Sequence, residues 1–188
     1  MKFLNSSLML LSLLPFTVNA NSETRIDNEN RSEPMWWMNL GIGAGTGAHG
    51  ISGLASQFSF NGRITKNLFL TLYNNYLGHQ HDNEYYYSWN DDREIRDTGL
   101  LLGLIKRHPR WYWSTSAGLS YCSERRKDYY STLYSYGYTT KYHGALGVPV
   151  QGQLFWTPFK HVGFGLIGQV VASENAYAAA MLAIQLYN

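Results

Sequence analysis

A single cysteine, Cys122, rules out an internal disulfide, so an exported chain of this size must be stabilised some other way. Beyond the first twenty residues no apolar run reaches about eighteen residues, the length a membrane-crossing helix needs. Charge is scarce and balanced, with 15 Lys and Arg against 13 Asp and Glu for a net +2. The basic residues gather into no patch, so nucleic acid is not expected as a partner. Metal-ligand spacing is missing as well. His79 and His81, with Asp82 and Glu84 nearby, lack a third defined ligand, and neither a metal nor a cofactor is expected. What the chain has in quantity is tyrosine, at 15, and glycine, at 18.

No break in composition suggests a second folded domain. The N-terminus differs from the rest. Lys2, the apolar stretch Leu8 to Phe16 and the small-residue pattern Val18-Asn19-Ala20 read as a secretory signal peptide over residues 1–20. No cysteine follows it, which argues against a lipoprotein. Residues 21–34 are polar without apolar periodicity and read as a disordered, periplasmic tail. Residues 35–188 are the expected folded part.

That part alternates with a period of two. Leu146, Val148, Val150, Leu154 and Trp156 share one parity, against Gly147, Gln151 and Gln153. Val162, Phe164, Leu166, Val170 and Ala172 do the same, then Ala178, Ala180, Leu182, Ile184 and Leu186 with Gln185 opposed. Such alternation marks strands with unlike faces. Each run is roughly ten to twelve residues, the length of a tilted strand that crosses a bilayer. Upstream, Trp36 to Gly45, a run through Phe58 and Phe60, and Leu68 to Tyr76 supply three more strands, the last of ambiguous parity because Phe69 and Tyr73 compete with the leucines. Glu94 to Ile105 and Trp111 to Cys122 bring the count to eight. The fifth has the sharpest contrast, with Trp111, Trp113, Thr115, Ala117, Leu119 and Tyr121 against Ser114, Ser116, Gly118, Ser120 and Cys122.

Two regularities point to a membrane barrel. The connections after strands two, four and six are short, whereas Thr46 to Ala55, Gly78 to Arg93 and Ser123 to Thr140 read as longer ones on the other side. Trp36, Trp37, Trp111, Trp113 and Trp156, five of the six tryptophans, fall at strand ends on the short-turn side, as an interfacial girdle would. Tyr76, Tyr121, Tyr142 and Tyr177 would sit near the opposite rim. A soluble lipocalin-like carrier also alternates, but with its apolar face inward. Strand length, the small polar face and the girdle favour the membrane version: an all-β, eight-stranded, antiparallel up-and-down barrel. Its interior of Gly, Ser, Asn and Gln with Asp97 would be a hydrogen-bonded plug, since eight strands leave room only for side chains.

On these residues the chain resembles the small eight-stranded outer-membrane barrels of Gram-negative bacteria, the OmpA/OmpX-like group. The segment Val148 to Phe159 with Met181 to Leu186 is also similar to a group of uncharacterised outer-membrane β-barrel proteins. The resemblance implies a cell-envelope location, outer-membrane lipid and lipopolysaccharide as surroundings, and the outer-membrane assembly machinery as a partner. It carries no established activity. Such barrels often end in Phe or Trp, whereas this chain ends Leu186-Tyr187-Asn188.

Some barrels of this kind edit lipid A. His49, Ser88, Asp91 and Asp92 could group at the outer rim as nucleophile and base, yet the adjacent Asp-Ser pair of the palmitoyltransferase barrels is missing. His143-Gly144-Ala145 likewise lacks the serine of the His-x-Ser of the deacylase barrels. A catalytic role is therefore not expected, and a lipid A-modifying enzyme is the alternative. The outer connections instead suggest binding of an extracellular ligand. Tyr85, Tyr86, Tyr87 and Trp89, with Tyr134, Tyr136 and Tyr138, place amphipathic rings beside Ser, Gly and Thr, a composition that suits contact surfaces. Arg125, Arg126 and Lys127 could meet lipopolysaccharide phosphates. The competing explanation is that Tyr-rich hairpins simply continue the sheet above the membrane.

Overall fold

The computed structural model describes residues 34–78, 92–132 and 135–188. The expected signal peptide lies outside the described residues. Among those described, β1 (Trp36–Gly47), β2 (Ser52–Arg63), β3 (Leu68–Gly78), β4 (Asp92–Arg107), β5 (Trp111–Thr132), β6 (Ser135–Trp156), β7 (Val162–Ala172) and β8 (Tyr177–Tyr187) follow one another around a closed antiparallel barrel. β8 returns to β1, with Leu40 opposite Ile184 and Ile42 opposite Leu182. Closure gives every strand a paired neighbour on both sides within the barrel wall, which removes the free edges an open sheet would have there.

The alternation of the sequence becomes an inversion of the usual protein interior. Leu100, Leu119, Leu166 and Leu182 are 49, 70, 54 and 69 % exposed on the outside of the barrel, whereas Asn39, Gln57, Asn61, Gln151, Gln169 and Gln185 are buried within it. A water-soluble carrier has the reverse polarity. Register aligns the outward residues into continuous rows: Leu72 opposite Leu100, Leu100 opposite Leu119, Leu166 opposite Leu182. The ambiguity of β3 resolves with Leu70 and Leu72 outside and Phe69 and Tyr73 inside.

The connections differ from expectation. The stretch Thr46 to Ala55 is not a long loop, because β1 continues to Gly47 and β2 resumes at Ser52 around the single turn Ala48–Gly50. Gly50 takes φ +76 there, a left-handed conformation that glycine adopts without strain. Ser123 to Thr140 is not a loop either. β5 and β6 are 22 residues each and pair without interruption from Ser120 opposite Gly147 as far as Thr132 opposite Ser135. Among the described residues β4 follows β5 to the Asp92–Lys127 pair, and β7 joins β6 from Val148. Residues 135–147, about 40 Å of strand at about 3.3 Å per residue, therefore run in a ribbon with β5 as their one described strand partner, and of these only 135–139 face a part of β5 that no described residue of β4 pairs. The extension of the sheet by Tyr-rich strands is the arrangement this hairpin adopts.

Strong coiling of so small a barrel brings neighbouring backbones together at Gly118. A Cβ placed there would lie 1.9 Å from the Leu100 carbonyl oxygen, whereas one at Gly152 would meet nothing within 4 Å. Gly118→Ala is expected to cost about 1–3 kcal/mol through overpacking, and Gly152→Ala to stay within about 0.5 kcal/mol. Equilibrium urea unfolding of the two variants checks this, and equal effects would contradict the packing described.

Candidate surface-interaction site

Buried side chains line the lumen and bond to one another across it. From the end that carries the short turns upward, Gln185 Nε2 donates to Tyr112 Oη and to Asn39 Oδ1 at 3.0 Å. Asn39 is 3.5 Å from Gln153, Gln153 donates to Gln151 at 2.6 Å, and Gln151 donates to Gln169 at 2.9 Å. Gln169 leads to Asp97, a wholly buried carboxylate that accepts from Tyr73 at 2.6 Å, from Tyr177 at 2.8 Å and from Gln169 at 3.4 Å. Buried polar groups are tolerated when they satisfy one another in this way. The expected hydrogen-bonded plug is therefore present, but it shares the lumen with rings and aliphatic side chains that sequence reasoning did not place there. Phe69, Leu77, Ile95, Leu101, Phe155 and Ile167 are all buried.

Two of the residues expected at the rims are corrected by this packing. Trp37 is only 1 % exposed and lies inside, against Phe69 with ring centroids 5.4 Å apart and under the Arg107 guanidinium at 5.5 Å. Arg107 also lies 5.5 Å from the Tyr112 ring. Trp36 and Trp37 are consecutive in a strand, so only one of them can face outward. Tyr177 is likewise buried, because its hydroxyl serves Asp97 rather than a rim. The other four tryptophans are exposed: Trp36 stacks on Phe60 at 6.0 Å, Trp111 meets Trp156 at 6.1 Å, and Trp113 follows two residues after Trp111 on the same face.

At the opposite end the ribbon has two unlike faces. Its outward face, continuous with the apolar rows, presents Tyr121, Tyr138 and Tyr142, all exposed. Lys127 Nζ sits 5.6 Å from the Tyr138 ring, and Arg125 binds Glu94 at 2.9 Å. Glu94 also meets Arg96 at 3.2 Å and accepts from Tyr76 at 3.4 Å. Arg126 departs from its neighbours: it shares parity with Cys122 and Glu124 and points to the lumen side. There it lines an open cavity of about 490 Å³ with Arg93, Glu124, Lys141, His143 and Glu174, and Tyr142 of the outward face reaches the same cavity. The run Arg125, Arg126, Lys127 thus divides between two surfaces. Lys141 and Arg93 could not be assigned to the same place without strand register, which the sequence does not print.

Tyr85, Tyr86, Tyr87, Trp89 and Tyr134 lie outside the described residues. For Tyr136 the backbone within β6 is described. His79, His81, Ser88 and Asp91 also lie outside, so the conceivable rim constellation is not assembled on described side chains. His143 pairs with Glu174 at 3.2 Å. Among the described residues no three metal-ligating side chains converge.

No family model matches the chain, and no curated protein sequence matches it either. Solved structures do share its fold. Ail, the attachment invasion locus protein of Yersinia pestis, superposes with TM-score 0.56 at 6 % identity over 83 % of this chain and 99 % of its own. Neisserial surface protein A gives TM-score 0.55 at 9 % identity over 81 % and 96 %. The N-terminal β-barrel domain of Pseudomonas aeruginosa OprF gives 0.55 at 10 % over 84 % and 100 %. These are small eight-stranded outer-membrane barrels, the group the sequence resembles.

Removing the Tyr177 hydroxyl takes one donor from Asp97 and one acceptor from Asn75, which donates to it at 2.8 Å. Tyr177→Phe is expected to destabilise the barrel by about 1–3 kcal/mol, while Tyr138→Phe on the exposed ribbon stays within about 0.5 kcal/mol. Thermal or urea unfolding distinguishes them.

Proposed function

We propose that the chain is an integral outer-membrane protein whose ribbon serves as a surface for interaction outside the cell. The observation that carries this reading is the inverted polarity of the closed barrel. Its outward leucines, valines and aromatics are exposed on every strand, and water would not tolerate an apolar area so extensive on a monomer. A bilayer would. Strands of 11 or 12 residues, as in β1, β2, β3, β7 and β8, have the span such a barrel requires.

The tryptophan rim then lies at the periplasmic interface, and the ribbon projects outward. Surface-interaction or structural roles fit the company of an attachment invasion locus protein and a surface protein with the same fold. Lipopolysaccharide is the proposed neighbour of the ribbon's outward base, where Arg96, Arg125 and Lys127 stand above the apolar rows beside Tyr121 and Tyr142. Cations and amphipathic rings at that height suit phosphate-bearing headgroups. Higher up, Tyr138 and the strand-forming Thr139 and Thr140 supply contact area to an extracellular ligand. Export by a cleavable signal peptide and insertion by the assembly machinery through β8 complete the reading.

Two measurements test it. Leu182→Arg, near mid-height in the belt, is expected to lose about 2–4 kcal/mol in lipid vesicles, and Leu146→Arg near the upper border about 0–1 kcal/mol. Equal losses would count against lipid contact. For the ribbon, deleting residues 129–138 should leave the folded, heat-modifiable band on gels intact while removing adhesion of expressing cells to an epithelial monolayer. Unchanged adhesion would refute the ribbon's role.

A further inference from the structure

The hydrogen-bond network of the lumen leaves oxygen atoms over. Asp97 is wholly buried, and Oδ2 of its carboxylate accepts from three neutral groups, Tyr73 at 2.6 Å, Tyr177 at 2.8 Å and Gln169 at 3.4 Å. An acceptor at the centre fixes the direction of the bonds around it. Tyr177 gives its proton to Asp97, so Asn75 turns Nδ2 toward the phenol oxygen, at 2.8 Å, and its Oδ1 is left without a partner. Gln169 gives Nε2 to Asp97, so its Oε1 faces Gln57, which donates Nε2 to it at 3.3 Å and keeps an unpartnered Oε1. Oδ1 of Asp97 itself has no hydrogen-bond partner. Register sets the three side by side, Gln57 opposite Asn75 on β2 and β3 and Asn75 opposite Asp97 on β3 and β4, all inside the barrel and at most 3 % exposed. Among the described residues none that is buried is Lys, Arg or His. A buried charge is normally paired or bound to a metal ion, and this one has no side chain to pair with.

We propose that Gln57 Oε1, Asn75 Oδ1 and Asp97 Oδ1 bind one monovalent cation, sodium by size, inside the lumen. Side chains directly opposite on neighbouring strands have Cβ atoms about 4.5–5.5 Å apart, close enough for their oxygens to converge on a single small ion. One unit of positive charge neutralises the one carboxylate. A divalent ion would leave an uncompensated positive charge in the same enclosure, and calcium takes about 6–8 oxygen ligands. No group of three His, Cys, Asp or Glu gathers among the described residues. This row is a different set, amide and carboxylate oxygens that suit an alkali ion rather than a transition metal. Water is the weaker occupant, because one molecule has two protons for three acceptors and no charge to set against Asp97. The site lies apart from the ribbon and does not depend on what surrounds the barrel.

The test is equilibrium urea unfolding of the full chain, folded into non-ionic detergent micelles in sodium chloride or in the chloride of N-methylglucamine, a cation too bulky for the site, at equal ionic strength. An ion that binds only the folded state stabilises it saturably with concentration, so the urea midpoint should climb with sodium and level off. Asp97→Asn should abolish this dependence. Gln57→Met and Asn75→Leu, each removing one ligand oxygen, should raise the half-saturating sodium concentration about tenfold. Glu174→Gln, which removes an exposed carboxylate, should leave it unchanged. Each variant is checked for the heat-modifiable folded band, and the two amide variants carry the test if Asp97→Asn does not fold. A midpoint indifferent to sodium in the unmodified chain would overturn the proposal, as would a dependence that the amide variants and Glu174→Gln leave alike. So would a saturable response to calcium without one to sodium, or the infrared carbonyl band of a protonated carboxyl that Asp97→Asn removes, because a proton would then stand in the ion's place. None of these results would touch the membrane reading, which rests on the belt.

Discussion

The structure depends on one constraint: every strand must present an apolar side to the surroundings of the barrel and turn its polar side chains toward one another in the lumen. Alternation with a period of two delivers both at once, and closure pairs the strands of the barrel wall on both sides. The polar interior follows. Groups enclosed in so narrow a lumen are cut off from bulk water, so Gln185, Asn39, Gln153, Gln151 and Gln169 bond to one another, and Asp97 collects Tyr73 and Tyr177. The same narrowness explains why rings such as Trp37 and Phe155 share the space. A lumen of this width is filled by whatever side chains point into it, polar or not.

The ribbon obeys the same rule under different conditions. Above the apolar rows the two faces of β5 and β6 no longer separate lipid from lumen, and each carries polar side chains. Consecutive residues still point in opposite directions. Arg125 and Lys127 stand on the outward face with Tyr138 and Tyr142, and Arg126 stands with Arg93 and Lys141 above the mouth. One hairpin therefore presents two chemically unlike surfaces, an aromatic and cationic outer one and an inner one that carries charges of both signs.

The barrel was legible from its sequence because leucine, valine and phenylalanine contrast so strongly with glycine, serine and glutamine in β5 to β8. Parity alone placed Leu100, Leu119, Leu166 and Leu182 together on one face. Where contrast failed, so did legibility. Ser123 to Thr140 alternates arginine, lysine, tyrosine and threonine without an apolar side, which looks like a loop although its β-branched and aromatic residues favour extended chain. Thr46 to Ala55 is small and glycine-rich, which conceals strand in the same way. Trp37 and Tyr177 were assigned by residue type to a rim, whereas their parity turns them inward. The row of Gln57, Asn75 and Asp97 needed register between three strands, and register is set by pairing rather than by local composition.

The most direct test of the central claim is the accessibility of spin labels at Leu166, Leu182, Gln169 and Gln185, introduced one at a time into the protein in lipid bilayers. Labels at the two leucines should collide freely with dissolved oxygen and be shielded from a water-soluble nickel chelate, while labels at the two glutamines should be immobilised and shielded from oxygen. Leucine labels that are shielded from oxygen, with glutamine labels open to it, would contradict the inverted barrel.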